Sequence, residues 1–252
     1  MKRLARRTVL ATAGAALAAP AIRAHAQANG VALVVGNSKY QWEAQLPNVK
    51  RDAPDVARRF EALGLKTDLV QDASRDAMKR AIDSFVASAR GARFAALYFA
   101  GHGAAWGKDT FLVPVDADLS DPSVTQTLPA VSVVQESLNA AASRLMVFDN
   151  CRNSPADGWR QREAADNAIV KEIDKFTPNS LILYSTAPGR VALDGPPGEN
   201  SPFAAALLRQ FDTGSVDLQA LAGRVRRDLL IATQARQIVW DQNSYGQPFV
   251  LS

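Results

Sequence analysis

Short, uniformly apolar segments alternate with amphipathic helical patterns along this chain, and this alternation constrains the fold more than any other feature. The segments 31–35, 94–99 and 145–148 are apolar throughout, as strands are when helices cover both faces of a parallel sheet. Apolar residues recur at helical spacing in 48–65 and 75–90. The pattern predicts an α/β three-layer sandwich, with a mostly parallel central sheet flanked by helices.

Weaker patterns complete the expected order of elements. Further strands are predicted at 66–70, 110–115, 180–185 and 248–251, and further helices at 131–142, 202–211 and 217–234. Residues 152–179 carry many charges and little apolar periodicity, which indicates a long surface loop. A chain of 252 residues, 47% of them hydrophobic, is large enough to bury one full core.

The first 26 residues have the layout of an export signal. A basic start at Lys2–Arg7 precedes an apolar run, and Ala24–Ala26 has the small-x-small pattern of a cleavage site. Two adjacent arginines in that start resemble a twin-arginine signal, although an ordinary secretory signal gives the same pattern. We therefore expect an exported protein, periplasmic or secreted, in which residues 27–252 form one domain.

The leader also accounts for the net charge of +4. It holds five of the 29 basic residues and none of the 25 acidic ones, so the rest of the chain has a net charge of −1. A nearly neutral domain offers no electrostatic argument for a nucleic-acid partner. No second apolar stretch is long enough to suggest a membrane span, so we expect no membrane contact after the signal is removed.

Two side chains suited to nucleophilic catalysis each follow a predicted strand. His102 lies between Gly101 and Gly103 after one strand, and Cys151, the chain's only cysteine, follows another. Carboxyl ends of parallel strands meet at one sheet edge, where ligand sites lie, and an imidazole there can take the proton of a thiol. Although a lone cysteine is often a plain core residue, the pair predicts a catalytic dyad. The backbone N–H groups of Gly103 and Cys151 are candidates for an oxyanion hole.

The two motifs resemble those of caspases and metacaspases. Leu97–Gly103 (LYFAGHG) is similar to their histidine motif, and Phe148–Asn153 (FDNCRN) is similar to their cysteine motif. His102 and Cys151 are 49 residues apart, close to the ~50 of caspases. The resemblance extends over about residues 30–250. It implies a caspase-like fold and a cysteine endopeptidase, which acts on peptide or protein substrates and requires no cofactor.

The resemblance also implies a specificity. Asp149 stands two residues before Cys151, where metacaspases carry an acid that lines the pocket for Arg or Lys, and Asp52 stands where they carry a second. Carboxylates bind a guanidinium through charge-assisted, bidentate hydrogen bonds, so we expect cleavage after Arg or Lys. From the residues alone, Asp149 also fits a loop-capping carboxylate. Asp52 also fits a charge in the first turn of a helix, where the dipole favours it.

Several alternatives remain open at this level. The loop 152–179 resembles the segment that is cut in many caspases, and its basic residues either serve self-cleavage or only keep a loop soluble. Asp116, Asp118 and Asp121 form an acidic cluster without a recognisable calcium motif, so calcium is a candidate and not a required ligand. The competing functions are a catalytically silent caspase-fold module that binds peptides, and a legumain- or gingipain-like peptidase of different specificity. For the oligomeric state we expect a monomer.

Overall fold

A computed structural model describes residues 30–106, 109–150, 178–212 and 214–252 of the chain. The predicted export signal at residues 1–26, Cys151 and nearly all of the loop predicted at 152–179 lie outside the described residues. Within the described part, no helix is both long enough and apolar enough to cross a membrane.

Ten strands and five α-helices make up the described part of the fold. The strands are β1 (Gly30–Gly36), β2 (Lys66–Gln71), β3 (Phe94–Ala100), β4 (Gly103–Trp106), β5 (Asp109–Leu112), β6 (Arg144–Asp149), β7 (Ser180–Tyr184), β8 (Val216–Asp217), β9 (Trp240–Asn243) and β10 (Val250–Leu251). The helices are α1 (Val49–Ala62), α2 (Arg75–Ala89), α3 (Val131–Ser137), α4 (Pro202–Phe211) and α5 (Leu218–Thr233).

Six of the strands form the central sheet, in the spatial order β2-β1-β3-β6-β7-β9. All neighbouring pairs are parallel except β7 and β9, which are antiparallel. Two small antiparallel pairs, β4 with β5 and β8 with β10, lie outside this sheet. The prediction of a mostly parallel sheet flanked by helices is therefore confirmed.

Helices cover both faces of the sheet. Successive residues of a strand point to opposite faces, so each central strand contributes to two cores. In β3, Ala96 and Tyr98 belong to a core shared with α1, α4 and α5, whereas Leu97 and Phe99 belong to a core shared with α2 and α3. Every residue of β3 is buried, which is why its sequence is an apolar run without alternation. Burial of each large apolar side chain in these layers contributes roughly 1.5–3 kcal/mol.

Side-chain caps fix where three of the α-helices begin, and two of these caps are serines. The hydroxyl of Ser74 accepts a hydrogen bond from the backbone of Ala77 at the start of α2. The hydroxyl of Ser201 accepts one from the backbone of Ala204 at the start of α4. Each satisfies a helix N–H that has no partner within the helix, and this is worth about 1 kcal/mol. Asn48 occupies the same position before α1, but its side chain makes no capping bond.

The structure differs from the sequence-based expectations in its smaller elements. The strand predicted at 110–115 is shorter and forms a hairpin, β4–β5, because Pro114 lacks an N–H for further pairing. The helix predicted at 131–142 ends at Ser137 and continues as a 3₁₀ turn. The antiparallel edge strand β9 was not predicted.

Candidate active site

The carboxyl ends of three neighbouring strands define the candidate site. Ala100, the last residue of β3, is paired with Gly36 of β1 on one side and with Asp149 of β6 on the other. Beyond the strands, the N–H of Gly101 donates to the carbonyl oxygen of Asp149 at 3.2 Å. The histidine motif and the residues that lead into the cysteine motif therefore lie side by side at one sheet edge.

His102 is held by a backbone carbonyl. Its Nε2 lies 2.8 Å from the carbonyl oxygen of Ala44, in the loop between β1 and α1. A carbonyl oxygen can only accept, so Nε2 carries the proton and, in the neutral imidazole, Nδ1 is the basic nitrogen. Sequence reasoning could not identify this partner.

Cys151 lies outside the described residues, but its immediate predecessor does not. Asn150 is buried and lines the same small cavity as His102. Asn150, the last described residue before the cysteine, therefore lies at the cavity that contains the imidazole.

Gly103 presents its backbone N–H away from the neighbouring strand. It is paired with Leu112 in the β4–β5 hairpin, and the flanking bond runs from the N–H of Val113 to the carbonyl oxygen of His102 at 3.1 Å. In an antiparallel ladder such a bond brackets a pair that is not itself hydrogen-bonded. The N–H of Gly103 is therefore left to point outward beside His102.

Three carboxylates surround a cavity of about 60 Å³ next to His102. Asp52 comes from the first turn of α1, Asp149 from the end of β6, and Asp194 from the loop between β7 and α4. Neither Lys nor Arg is among the described residues that line this cavity. The structure thus brings the two predicted pocket acids together and adds a third.

Asp52 is directed toward the loop before α4 and not toward the backbone of its own helix. Its Oδ1 accepts hydrogen bonds from Asn200 Nδ2 at 2.9 Å and from the N–H of Ser201 at 3.0 Å. Its Oδ2 is buried and has no hydrogen-bond partner among the described residues. Burial, and then the charge of Asp149, raise the pKa of Asp52 to about 7.

Asp149 both fastens a loop and faces the cavity. Its Oδ2 accepts a hydrogen bond of 2.8 Å from the hydroxyl of Ser201, so the loop-capping interpretation describes one of its contacts. Burial raises its pKa to about 6, against the opposing effect of hydrogen bonds from Ser201 and Ser185, and the charge of Asp194 adds to the rise. An ionised pair of buried carboxylates without a cationic partner is costly. This cost is what a cationic ligand would remove.

Asp194 is the functional candidate that sequence reasoning missed. Its loop is tied to the start of α1 by Asn48, whose Nδ2 donates to the carbonyl oxygens of Asp194 at 2.7 Å and Pro196 at 2.9 Å. Burial raises the pKa of Asp194, while the nearby imidazole of His102 opposes the rise.

In the acidic cluster considered for calcium, each aspartate accepts a hydrogen bond from a different backbone N–H. Asp116 accepts from the N–H of Arg75, Asp118 from that of Ser120, and Asp121 from that of Ser123. Among the described residues, no group of three His, Cys, Asp or Glu side chains is arranged to hold a metal ion.

A mostly parallel sheet flanked by helices, with a histidine beyond the carboxyl end of a central strand, is the arrangement of caspase-fold proteins. Residues 29–249 match the family model of the caspase domain, peptidase family C14. The chain belongs to this family of cysteine peptidases.

Individual relatives agree with this assignment at lower identity. The chain is 26% identical over 166 residues to human mucosa-associated lymphoid tissue lymphoma translocation protein 1 and to its mouse homologue. Each match covers 65% of this chain and 19% of the relative, so the chain spans about a fifth of those proteins. Caspase-1 from Spodoptera frugiperda has a similar fold, with a TM-score of 0.63 and 13% identity over 87% of this chain and 88% of that one.

Proposed function

We propose that the protein is a cysteine endopeptidase that cleaves peptide bonds after Arg or Lys, with Cys151 as nucleophile and His102 as general base. The observation that carries the specificity is the cavity beside His102, which is lined by Asp52, Asp149 and Asp194 and, among the described residues, by neither Lys nor Arg. A guanidinium or ammonium group would pair with buried carboxylates that otherwise lack a counter-charge. A pocket for an acidic side chain would need the opposite sign.

In the proposed reaction, Nδ1 of His102 takes the proton of the Cys151 thiol, and the thiolate attacks the carbonyl carbon of the substrate's Arg or Lys residue. The carbonyl oxygen becomes an oxyanion, which the N–H groups of Gly103 and Cys151 stabilise. When the C–N bond breaks, the imidazolium gives its proton to the leaving amine. Water, deprotonated by the imidazole, then hydrolyses the thioester and frees the enzyme.

Hydrolysis of fluorogenic peptides that end in Arg, Lys, Asn or Asp tests this proposal. The parent is compared with Cys151→Ala and His102→Ala, each in calcium and in EDTA. We expect cleavage after Arg and Lys alone, and a fall of at least ~10³-fold in kcat for both variants. Cleavage after Asn or Asp would instead support a related peptidase. No cleavage of any peptide by folded protein, in either condition, would support a silent peptide-binding module.

A further inference from the structure

Tyr40 is a buried residue of the loop after β1. Its hydroxyl binds the backbone of His102 and that of Val113. The oxygen accepts a hydrogen bond of 2.7 Å from the N–H of His102. The O–H donates to the carbonyl oxygen of Val113 at 3.1 Å. Only a neutral phenol can accept and donate in this way, and burial raises the pKa of Tyr40 far above its usual value. This bridge fixes where the backbone of His102 lies.

The ring of Tyr40 also contacts the imidazole itself. The two ring centroids are 4.5 Å apart, with an interplanar angle of 57°. Ala44, whose carbonyl oxygen binds Nε2, belongs to the same loop. The loop is closed by two backbone bonds, from Gln41 to Val115 at 2.9 Å and from Leu46 to Ser38 at 3.0 Å. This loop therefore contacts the imidazole twice: the ring of Tyr40 packs against it, and the carbonyl oxygen of Ala44 binds Nε2.

The close approach of Tyr40 gives a specific reason for the glycine before the histidine. A Cβ at Gly101 would lie 2.5 Å from the hydroxyl oxygen of Tyr40, well inside van der Waals contact. The same Cβ would lie 3.0 Å from the ring of Phe99. Tyr40 and Gly101 thus form a matched pair around the backbone of His102.

We propose that Tyr40 is a positioning residue for the proposed dyad: its hydroxyl and ring hold the His102 imidazole in one orientation, with the proton on Nε2 and Nδ1 free to act as the base. The inference rests on the proposed peptidase function. It assigns Tyr40 no contact with substrate. Loss of the hydroxyl should therefore slow proton transfer and leave peptide binding unchanged.

The variant Tyr40→Phe removes the hydroxyl and keeps the ring. Tyr245→Phe is the matched control, because Tyr245 is also buried and its hydroxyl also binds a backbone carbonyl oxygen, that of Arg144 at 3.1 Å. For Arg peptides we expect Tyr40→Phe in the full-length protein to lower kcat about 10-fold with KM unchanged. Tyr245→Phe should keep kcat within about twofold. Equal kcat values in Tyr40→Phe and the parent would overturn the proposal.

A second readout does not depend on peptide hydrolysis. Cys151 is the only thiol of the chain, so its alkylation by iodoacetamide at pH 7 reports the thiolate that His102 maintains. Tyr40→Phe should slow alkylation severalfold, toward the rate of His102→Ala, whereas Tyr245→Phe should not. An alkylation rate equal to that of the parent would contradict a positioning role.

A third measurement separates failure of the inference from failure of the proposed function. If the parent neither cleaves peptides nor shows His102-dependent alkylation, the peptidase proposal fails. Nitrogen-15 shifts of the imidazole, assigned with His102→Ala, then test Tyr40 directly. A parent with the proton on Nε2 and a mixture of tautomers in Tyr40→Phe would support the positioning role. Identical tautomers in both proteins would overturn it.

Discussion

The hydroxyl of Ser201 donates a hydrogen bond of 2.8 Å to Asp149, although the two residues are 52 positions apart in the chain. The N–H of the same serine binds Asp52 at 3.0 Å. A single residue at the start of α4 thus contacts two of the three carboxylates around the cavity. The spacing of these acids depends on how that helix begins.

The first prediction concerns Ser201→Ala. Losing the O–H leaves Asp149 without a donor that favours its charged form, so its pKa rises further and the pocket is less anionic at pH 7. We expect KM for Arg peptides to rise about 10-fold, with kcat within about twofold of the parent. Steady-state hydrolysis measures both.

Ser74→Ala is the matched control for this variant. Ser74 caps α2 as Ser201 caps α4, but it lies away from the cavity. Both variants should lose about 1 kcal/mol of stability from the missing cap. A rise in KM of the same size in both would attribute the effect to general destabilisation and would count against Ser201 as an organiser of the acids.

The second prediction concerns Asp52→Asn and thermal stability. The pKa of Asp52 rises from 3.8 to about 7 on folding. Below pH 3.8 the group is neutral in both states, and above pH 7 it is charged in both, at a cost to the folded state. Its favourable contribution is therefore fully present below pH 3.8 and is lost as the pH rises through 7.

Asparagine keeps an accepting oxygen for Asn200 and Ser201 but cannot ionise. At pH 8 we expect Asp52→Asn to be more stable by on the order of 2 kcal/mol, or ~4–8 °C in Tm, while its KM for Arg peptides rises. At pH 4 the gain in Tm should disappear. Asp83→Asn, which removes an exposed pair with Lys79, should show neither effect. A gain in Tm independent of pH would contradict this account.

The third prediction separates binding from catalysis by using benzamidine, an amidinium ligand that needs no dyad. As the pH falls from 8 to 5, Asp52 and Asp149, with pKa values of about 7 and 6, take up protons. We expect the Kd from calorimetry to rise on the order of 10²-fold over this range. In Asp52→Asn the rise should be shallower. A Kd that stays constant from pH 8 to 5 would mean that these carboxylates do not supply the negative charge that binds benzamidine.

The central layers of the fold could be predicted because the chemistry of their residues is periodic. β3 is buried on both faces and is therefore an unbroken apolar run, and α1 repeats its apolar residues at helical spacing. β9, by contrast, reads Trp240–Asn243, with three polar residues and a half-exposed tryptophan, because it is an edge strand. Nothing in its sequence distinguishes it from a loop.

The candidate site could be predicted only where the type of a residue, or its position at the end of a strand, is distinctive in the sequence. His102 and Asp149 stand out because they lie where apolar strands end: Asp149 is the last residue of β6, and His102 is two residues beyond β3. The partner of His102 is the main-chain oxygen of Ala44, which any residue would supply. The pairing of Asp52 with Ser201 joins positions 149 residues apart. Such contacts follow from the tertiary fold and leave no local pattern.

The last prediction concerns Asn48. Its side chain makes no capping bond and instead binds the loop between β7 and α4 that carries Asp194. Asparagine before a helix normally accepts from the first turn, yet Asn48 accepts from the N–H of Gly198 at 3.0 Å and donates to the carbonyl oxygens of Asp194 and Pro196. Asn48→Ala leaves these groups without their partner, which should cost ~1–3 kcal/mol. Freed from Asn48, the loop should weaken benzamidine binding by about 10-fold or more.

Limited trypsin digestion gives a direct measure of that loop. Arg190 is an exposed residue of the same loop, so cleavage after it, followed by mass spectrometry, should be severalfold faster in Asn48→Ala than in the parent. Asn243→Ala, which removes a 3.3 Å bond to the Gln219 carbonyl oxygen and a 3.0 Å bond from the Tyr245 N–H, should leave the rate unchanged. If Asn48→Ala lost stability but kept both parental cleavage at Arg190 and parental benzamidine affinity, Asn48 would serve only the packing of α1. Neither trypsin cleavage nor benzamidine binding requires the dyad to work, so both measurements report on Asn48 independently of peptidase activity.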